Sequence, residues 1–234
     1  MKKIMWAVSL LSLIGTAAAV SFLPERVPMH YDMAGSIDRW GSRYETLIFP
    51  VMMLLLSLFW TLLIRYFERK AQKTAEEKER AGAQSNAKVL GIAGVSVAAM
   101  FTVMQAFMLY GAYNGAVSGA VKQTVDIGKI SVILMGIVLI VLGNVMTKTR
   151  MNHIVGVRIR WSMFNDATWR KSNRFGAYAL MLAGVLTILM AVLMKSASGA
   201  MLAMLGLVIA AAAATAVYAH KVYVQEIEAG KGEP

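Results

Sequence analysis

Residues 130–146, ISVILMGIVLIVLGNVM, are followed by the connector 147–174, TKTRMNHIVGVRIRWSMFNDATWRKSNR, and then by 175–194, FGAYALMLAGVLTILMAVLM. Two uncharged apolar runs thus flank a strongly basic connector. Each run is close to the ~20 residues that a helix needs to cross about 30 Å of hydrocarbon. The alternation extends along the whole chain, with further apolar runs at 4–23, 47–64, 89–110 and 199–217 and a second basic connector at 65–88. None of the runs alternates like a barrel strand, and backbone groups in lipid must be satisfied within their own segment. The expected fold is therefore all-α: an integral membrane protein, a polytopic helical bundle of about six transmembrane helices.

Composition agrees. Hydrophobic residues make up 58% of the chain and charged residues 16%, with a mean hydropathy of +0.57, values wrong for a soluble domain. Each basic connector carries seven Lys and Arg of the 24 in the chain. Counted by side, 18 fall with the two connectors and the termini and six on the opposite face, which predicts cytoplasmic termini and places loop 24–45 outside. The net charge of +11 sits beside the spans, within reach of anionic headgroups. Lipid and topology account for it, and direct nucleic-acid binding is not expected.

The chain divides into a two-helix unit, 1–66, with a structured extracellular loop at 24–45, and a charged cytoplasmic linker, 67–88. A four-helix core, 89–220, with its cytoplasmic loop at 147–174, and a polar tail, 221–234, follow. Lys2-Lys3, an apolar stretch and Thr16-Ala17-Ala18-Ala19 also fit a cleavable signal peptide. Against that, the run continues through Val20, Phe22 and Leu23 to Pro24, which makes a whole span. In the linker, good helix formers with opposite charges three and four apart predict a solvated helical extension of the second span. Gly111, Gly115 and Gly119 recur every fourth position. They suit close helix contact, but their place at a span end favours a flexible loop.

Chemistry-bearing groups are sparse within the spans. No ionisable residue lies centrally in any run, which disfavours ion-coupled transport. Gln105 and Asn144 are the notable polar residues, and interhelical hydrogen bonding is their ordinary role. His30, His153 and His220 fall on different sides or at a span end, and no metalloprotease, hydrolase or P-loop spacing occurs. No catalytic residue, metal site or cofactor is expected, and the chain is not read as an enzyme.

The two loops are more specific. In the outer one, Pro24 and Pro28 fix torsions, Gly35 and Gly41 permit turns, and Trp40 suits the headgroup region. Asp38 and Arg39 are either solvated or part of an outward recognition surface. In the inner one, Val157 and Ile159 alternate with Arg158 and Arg160 in a short extended pattern through Trp161. Ser162 or Asn165 then caps a helix on which Trp169 and Asn173 share a face, with Arg174 following. Arginine forks suit carboxylate, phosphate or carbonyl partners, so the loop is either an interfacial lipid-gripping helix or a packed cytoplasmic cap.

With both loops in view, the chain resembles the SdpI family, membrane proteins named for immunity to a sporulation-delaying peptide toxin. The outer match runs through Leu23, Pro24, Pro28, His30, Gly35, Asp38, Trp40, Gly41, Ser42 and Arg43. It is similar to a short domain of unknown function usually found at the N-terminus of these proteins. The inner match is Gly143, Asn144, Asn152, Gly156, Arg158, Trp161, Ser162, Trp169, Ser172, Asn173 and Arg174, similar to the family's core signature. The resemblance implies a multi-pass protein of the bacterial plasma membrane that protects against a secreted, membrane-active peptide toxin. It also implies, as in the best-known system, a repressor held at the inner face. The alternative is a transporter or lipid-handling protein, with a pathway past Gln105 and Asn144.

Overall fold

The computed structural model describes residues 1–32, 34–149, 151 and 156–230, with only the backbone of Lys78. Among the described residues there are six α-helices: α1 (Lys2–Val20), α2 (Ile48–Lys73), α3 (Glu77–Val117), α4 (Ile127–Met146), α5 (Asp166–Leu193) and α6 (Ala197–Glu228). All six are long and apolar enough to cross a membrane. The chain is an all-α, multi-pass membrane protein. Protein covers only 11% to 33% of the apolar windows, so lipid must solvate most of each span.

Where α1 meets α2, much of the covered surface is small or polar, beside Met5, Met53 and Ile64. On α1, Ser9, Ser12 and Thr16 face inward while Leu11 and Ile14 point away. Ser9 Oγ meets Ser57 Oγ of α2 at 2.8 Å, Trp6 Nε1 donates to Thr61 Oγ1 at 2.9 Å, and Ser12 Oγ donates to Met53 Sδ at 3.6 Å. These pairs set α1 and α2 antiparallel, and both pack on α3. Helices α4, α5 and α6 form a second group, joined to the first where α3 packs on α4.

Within that second group, backbones touch. A Cβ placed on Gly184 would lie 2.6 Å from Gly136 O, and one on Gly143 would lie 2.8 Å from Ala177 O. Gly136 and Gly143 are one heptad apart on α4, as are Ala177 and Gly184 on α5, so one stripe of small residues runs along each helix. Such close approach maximises dispersion contact where lipid removes any hydrophobic gain from helix pairing.

The loop between α1 and α2 folds as a hairpin, β1 (Arg26–Tyr31) and β2 (Ile37–Ser42), followed by a 3₁₀ turn at Arg43–Leu47. Its strands pair antiparallel with register irregularities around His30. The hairpin lies on the end of α3, where Leu23, Val27 and Ala112 form a small core.

Three expectations need correction. Gly111 and Gly115 lie inside α3 rather than in a flexible loop, and Gly115 lets Pro28 of the hairpin approach to 3.0 Å of where its Cβ would be. The second span does not carry the whole charged linker, because the backbone breaks at 74–76 and the rest begins α3. Asn144 lies on the exposed face of α4, and its side chain makes no hydrogen bond among the described residues. Gln105, by contrast, bridges elements as expected.

Replacing Gly184 with Leu must push α4 and α5 apart. We expect a loss of about 1–3 kcal/mol, read as a lower unfolding temperature in detergent. Gly206→Leu, at a position with nothing within 4 Å of its Cβ site, should leave that temperature unchanged.

Candidate functional site

At the basic end, α5 starts in a capping box. Asn165 Oδ1 accepts from the amides of Ala167 at 3.0 Å and Thr168 at 2.8 Å, while Thr168 Oγ1 accepts from Asn165 N at 3.0 Å. This resolves the choice of cap in favour of Asn165. Ser162 instead ties the preceding turn, its hydroxyl against Val157 O at 2.5 Å and Ile159 O at 2.9 Å. The stretch after Gly156 therefore turns back, and among the described residues it forms no strand.

One helical turn into α5, Trp169 and Asn173 share the expected face, and both are buried. Trp169 Nε1 donates to Thr149 O at 3.1 Å. Asn173 Nδ2 donates to Trp169 O at 3.0 Å, and its Oδ1 accepts from Val157 N at 2.9 Å. Gly156 sits directly against this amide at φ +121°, where a Cβ would lie 2.2 Å from Asn173 Oδ1. Only glycine fits both the torsion and the space. Trp161 packs edge-on against His220, and Phe164 against Tyr223, which fastens the loop to α6. Lys171 Nζ reaches Glu226 Oε1 at 2.8 Å.

The arginines point the other way. Arg158, Arg160, Arg170 and Arg174 are all exposed. Arg174 leans on Tyr178, donating to its hydroxyl at 3.3 Å. The motif thus splits into a packed lock, in which half-buried Gly156 sits against buried Ser162, Trp169 and Asn173, and a displayed basic surface. Asn152 and His153 lie outside the described residues.

At the other end, Gly35 (φ +78°) completes a turn in which Asp32 Oδ1 accepts from Ala34 N and Ser36 N, each at 2.8 Å. Gly41 packs tightly beside Glu45, and Ser42 caps the 3₁₀ turn in a capping box with that glutamate. Arg39 Nη1 donates to Glu45 Oε2 at 2.9 Å, and His30 Nδ1 meets Asp38 Oδ1 at 2.6 Å. Neither Asp38 nor Arg39 is merely solvated. Trp40 is 37% exposed and Pro24 is half-buried at the entry to β1. Backbone bonds from Ile37 N to Val121 O (2.9 Å) and from Gln123 N to Gly35 O (2.7 Å) tie the hairpin to the α3–α4 connector.

Beneath the hairpin lies a cavity of about 480 Å³, lined by residues that include Pro28, Tyr31, Phe49, Met52, Gln105 and Met108. Burial pushes the Tyr31 phenol above its ordinary pKa, which keeps it neutral there. Gln105 Nε2 donates to Thr16 Oγ1 at 3.1 Å and Thr46 O at 3.0 Å, binding α1, α3 and the 3₁₀ turn together. Thr16, Thr46 and Glu45 were not singled out from sequence. A lone Ser, Thr or Glu gives no signal until its partner is placed. Among the described residues no cluster of His, Asp and Glu forms a metal site.

Gly156→Ala should break the lock through both torsion and overlap, at a cost of about 1–3 kcal/mol. Limited proteolysis of loop 147–165 in detergent should become faster, and Trp169 emission should shift to the red. Unchanged cleavage and emission would show that the loop does not depend on this contact.

Two family models match the chain: the SdpI/YfhL protein family over residues 148–219, and a domain of unknown function, DUF1648, over residues 7–54. The first covers the locked loop with α5 and most of α6, and the second covers most of α1, the hairpin and the start of α2. The Immunity protein SdpI of Bacillus subtilis (strain 168) is 24% identical over 175 residues, 74% of this chain and 73% of that protein. No solved structure matches. With both motif regions present in order on six spans, the chain is a multi-pass bacterial membrane protein whose residues 148–219 match the SdpI/YfhL family.

Proposed function

We propose that this is a non-enzymatic membrane immunity protein, protecting its cell from a secreted, membrane-active peptide. The observation that carries the reading is the similarity to an immunity protein over 74% of this chain and 73% of the relative. That extent takes in most of the membrane domain rather than a single motif. The positive-inside bias sets the hairpin outside, where it meets the peptide, and the basic loop inside, where it passes on the response.

On the inner side, Arg158, Arg160 and Arg170 have no ion-pair partner among the described residues. Held on the locked loop, they suit an acidic surface of a cytoplasmic protein such as a repressor, with anionic headgroups as neighbours. Small-molecule or lipid transport is the weaker reading. The hairpin cavity and those at the basic end have no lining residue in common, and no charged residue lies centrally in an apolar run.

Deleting the gene should raise killing several-fold by the cognate peptide, or by a panel of apolar and cationic membrane-active peptides, scored as survival curves. Identical curves across the panel would remove the immunity reading. The double variant Arg158→Ala, Arg160→Ala should insert normally and lose the cytoplasmic response; a full response would leave the arginines without this role.

A further inference from the structure

We propose that the cavity beneath the hairpin is a peptide-binding site entered from the lipid side, in which Gln105 Oε1 accepts a hydrogen bond from an apolar peptide segment. The inference rests on the immunity reading for its class of ligand; the site itself rests on geometry. Helices α2 and α4 both pack on α3 without forming an interface with each other, so a gap is left over α3. The hairpin roofs it. Ile48 and Met52 line the cavity and are 60% and 57% exposed on a membrane-spanning helix. The α2 side of the mouth therefore faces lipid, while exposed His30 and Arg39 line its hairpin side.

Gln105 makes the cavity selective. Its residue is 3% exposed, and Oε1 is buried with no hydrogen-bond partner among the described residues. The amide cannot be turned round, because Thr46 O only accepts and so must face the nitrogen. An orphaned acceptor in this setting costs about 1–3 kcal/mol. A ligand that brings a donor recovers that cost. A saturated acyl tail brings none, whereas a peptide segment brings backbone N–H groups together with apolar side chains. The walls suit that ligand: Met29, Met52 and Met108 are adaptable thioethers beside Phe49. Arg39, Glu45 and His30 at the hairpin side can meet polar backbone outside the apolar part. The volume of about 480 Å³ lies within the range of ligand pockets.

The test uses the full chain in phosphatidylcholine nanodiscs and a neutral probe peptide, acetyl-Leu-Trp-Leu-photoleucine-amide, with crosslinks mapped by mass spectrometry. Crosslinks should concentrate in 48–52 and 105–112. Met52→Trp fills the mouth while leaving the bonds of Gln105 intact, and should lower that labelling about tenfold, the equivalent of one buried hydrogen bond or its packing. Gln105→Met, used only where gel filtration shows a folded protein, should lower it to a similar degree. Labelling spread evenly over lipid-facing residues, or undiminished by Met52→Trp, overturns the proposal. So does a diazirine-tailed phosphatidylcholine that labels the same wall and is not displaced by the peptide. Because labelling is read on purified protein, it is independent of survival. A labelled cavity with no survival defect on deletion would remove the immunity reading alone.

Discussion

The backbone contact between Gly136 on α4 and Gly184 on α5 sets the terms for the rest of the molecule. In water, two helices associate by removing leucines from solvent. In lipid that gain is absent, because acyl chains solvate leucine as well as a neighbouring helix does. What remains is dispersion, which needs close approach, and hydrogen bonds between side chains short enough not to hold the helices apart. The protein uses the first between α4 and α5 and the second between α1 and α2, where Ser9 meets Ser57. The burial pattern follows at those two contacts, where small and polar residues lie inside and many Leu, Ile and Val face outward, while Ile64, Phe67 and Leu90 pack between α2 and α3.

Two three-helix groups built this way would be loosely joined if α3–α4 packing were their one link. The hairpin adds a second. It rests on α3 through Pro28 and Val27, and its turn pairs with residues 121–123 in the connector to α4. Gln105 then ties α1 and the 3₁₀ turn to α3 from beneath. A polar side chain that bridges three elements is worth placing in an apolar bundle, because it fixes one arrangement among several of similar packing. Helix α3 runs from this end to the charged extension at the other, so both ends are read against the same rigid element.

How much of this the sequence discloses depends on the physical signal each feature leaves. The six spans are legible because twenty apolar residues have few other uses. The α5 cap and the shared face of Trp169 and Asn173 are legible because capping chemistry and a four-residue spacing are local. The hairpin is harder, since Pro28 sits within β1, the pairing is irregular near His30, and neither strand alternates cleanly. Gly111 and Gly115 mislead because hydropathy fades at Tyr110 while the helix continues to Val117. Asn144 misleads for another reason: in a uniformly apolar helix the sequence does not mark which face packs. The stripe of Gly136 and Gly143 does mark it, but only once a matching stripe on α5 is known.

The locked loop explains why one motif holds both unexposed and fully displayed residues. A segment that merely gripped anionic lipid would need charge and an apolar face, and nothing in that task requires Gly156 or Asn173. Here Asn173 uses both ends of its amide, one on the backbone of its own helix and the other on Val157, the residue before Arg158. The indole of Trp169 fixes the strand of chain on the other side, through Thr149. Arg158 and Arg160, mounted between Val157 and the Asn165 cap, lose less backbone freedom on binding than arginines on a free loop. The buried residues of the motif thus fix the backbone that carries the arginines, and the glycine is required because the amide that does the fixing lies where a side chain would otherwise be.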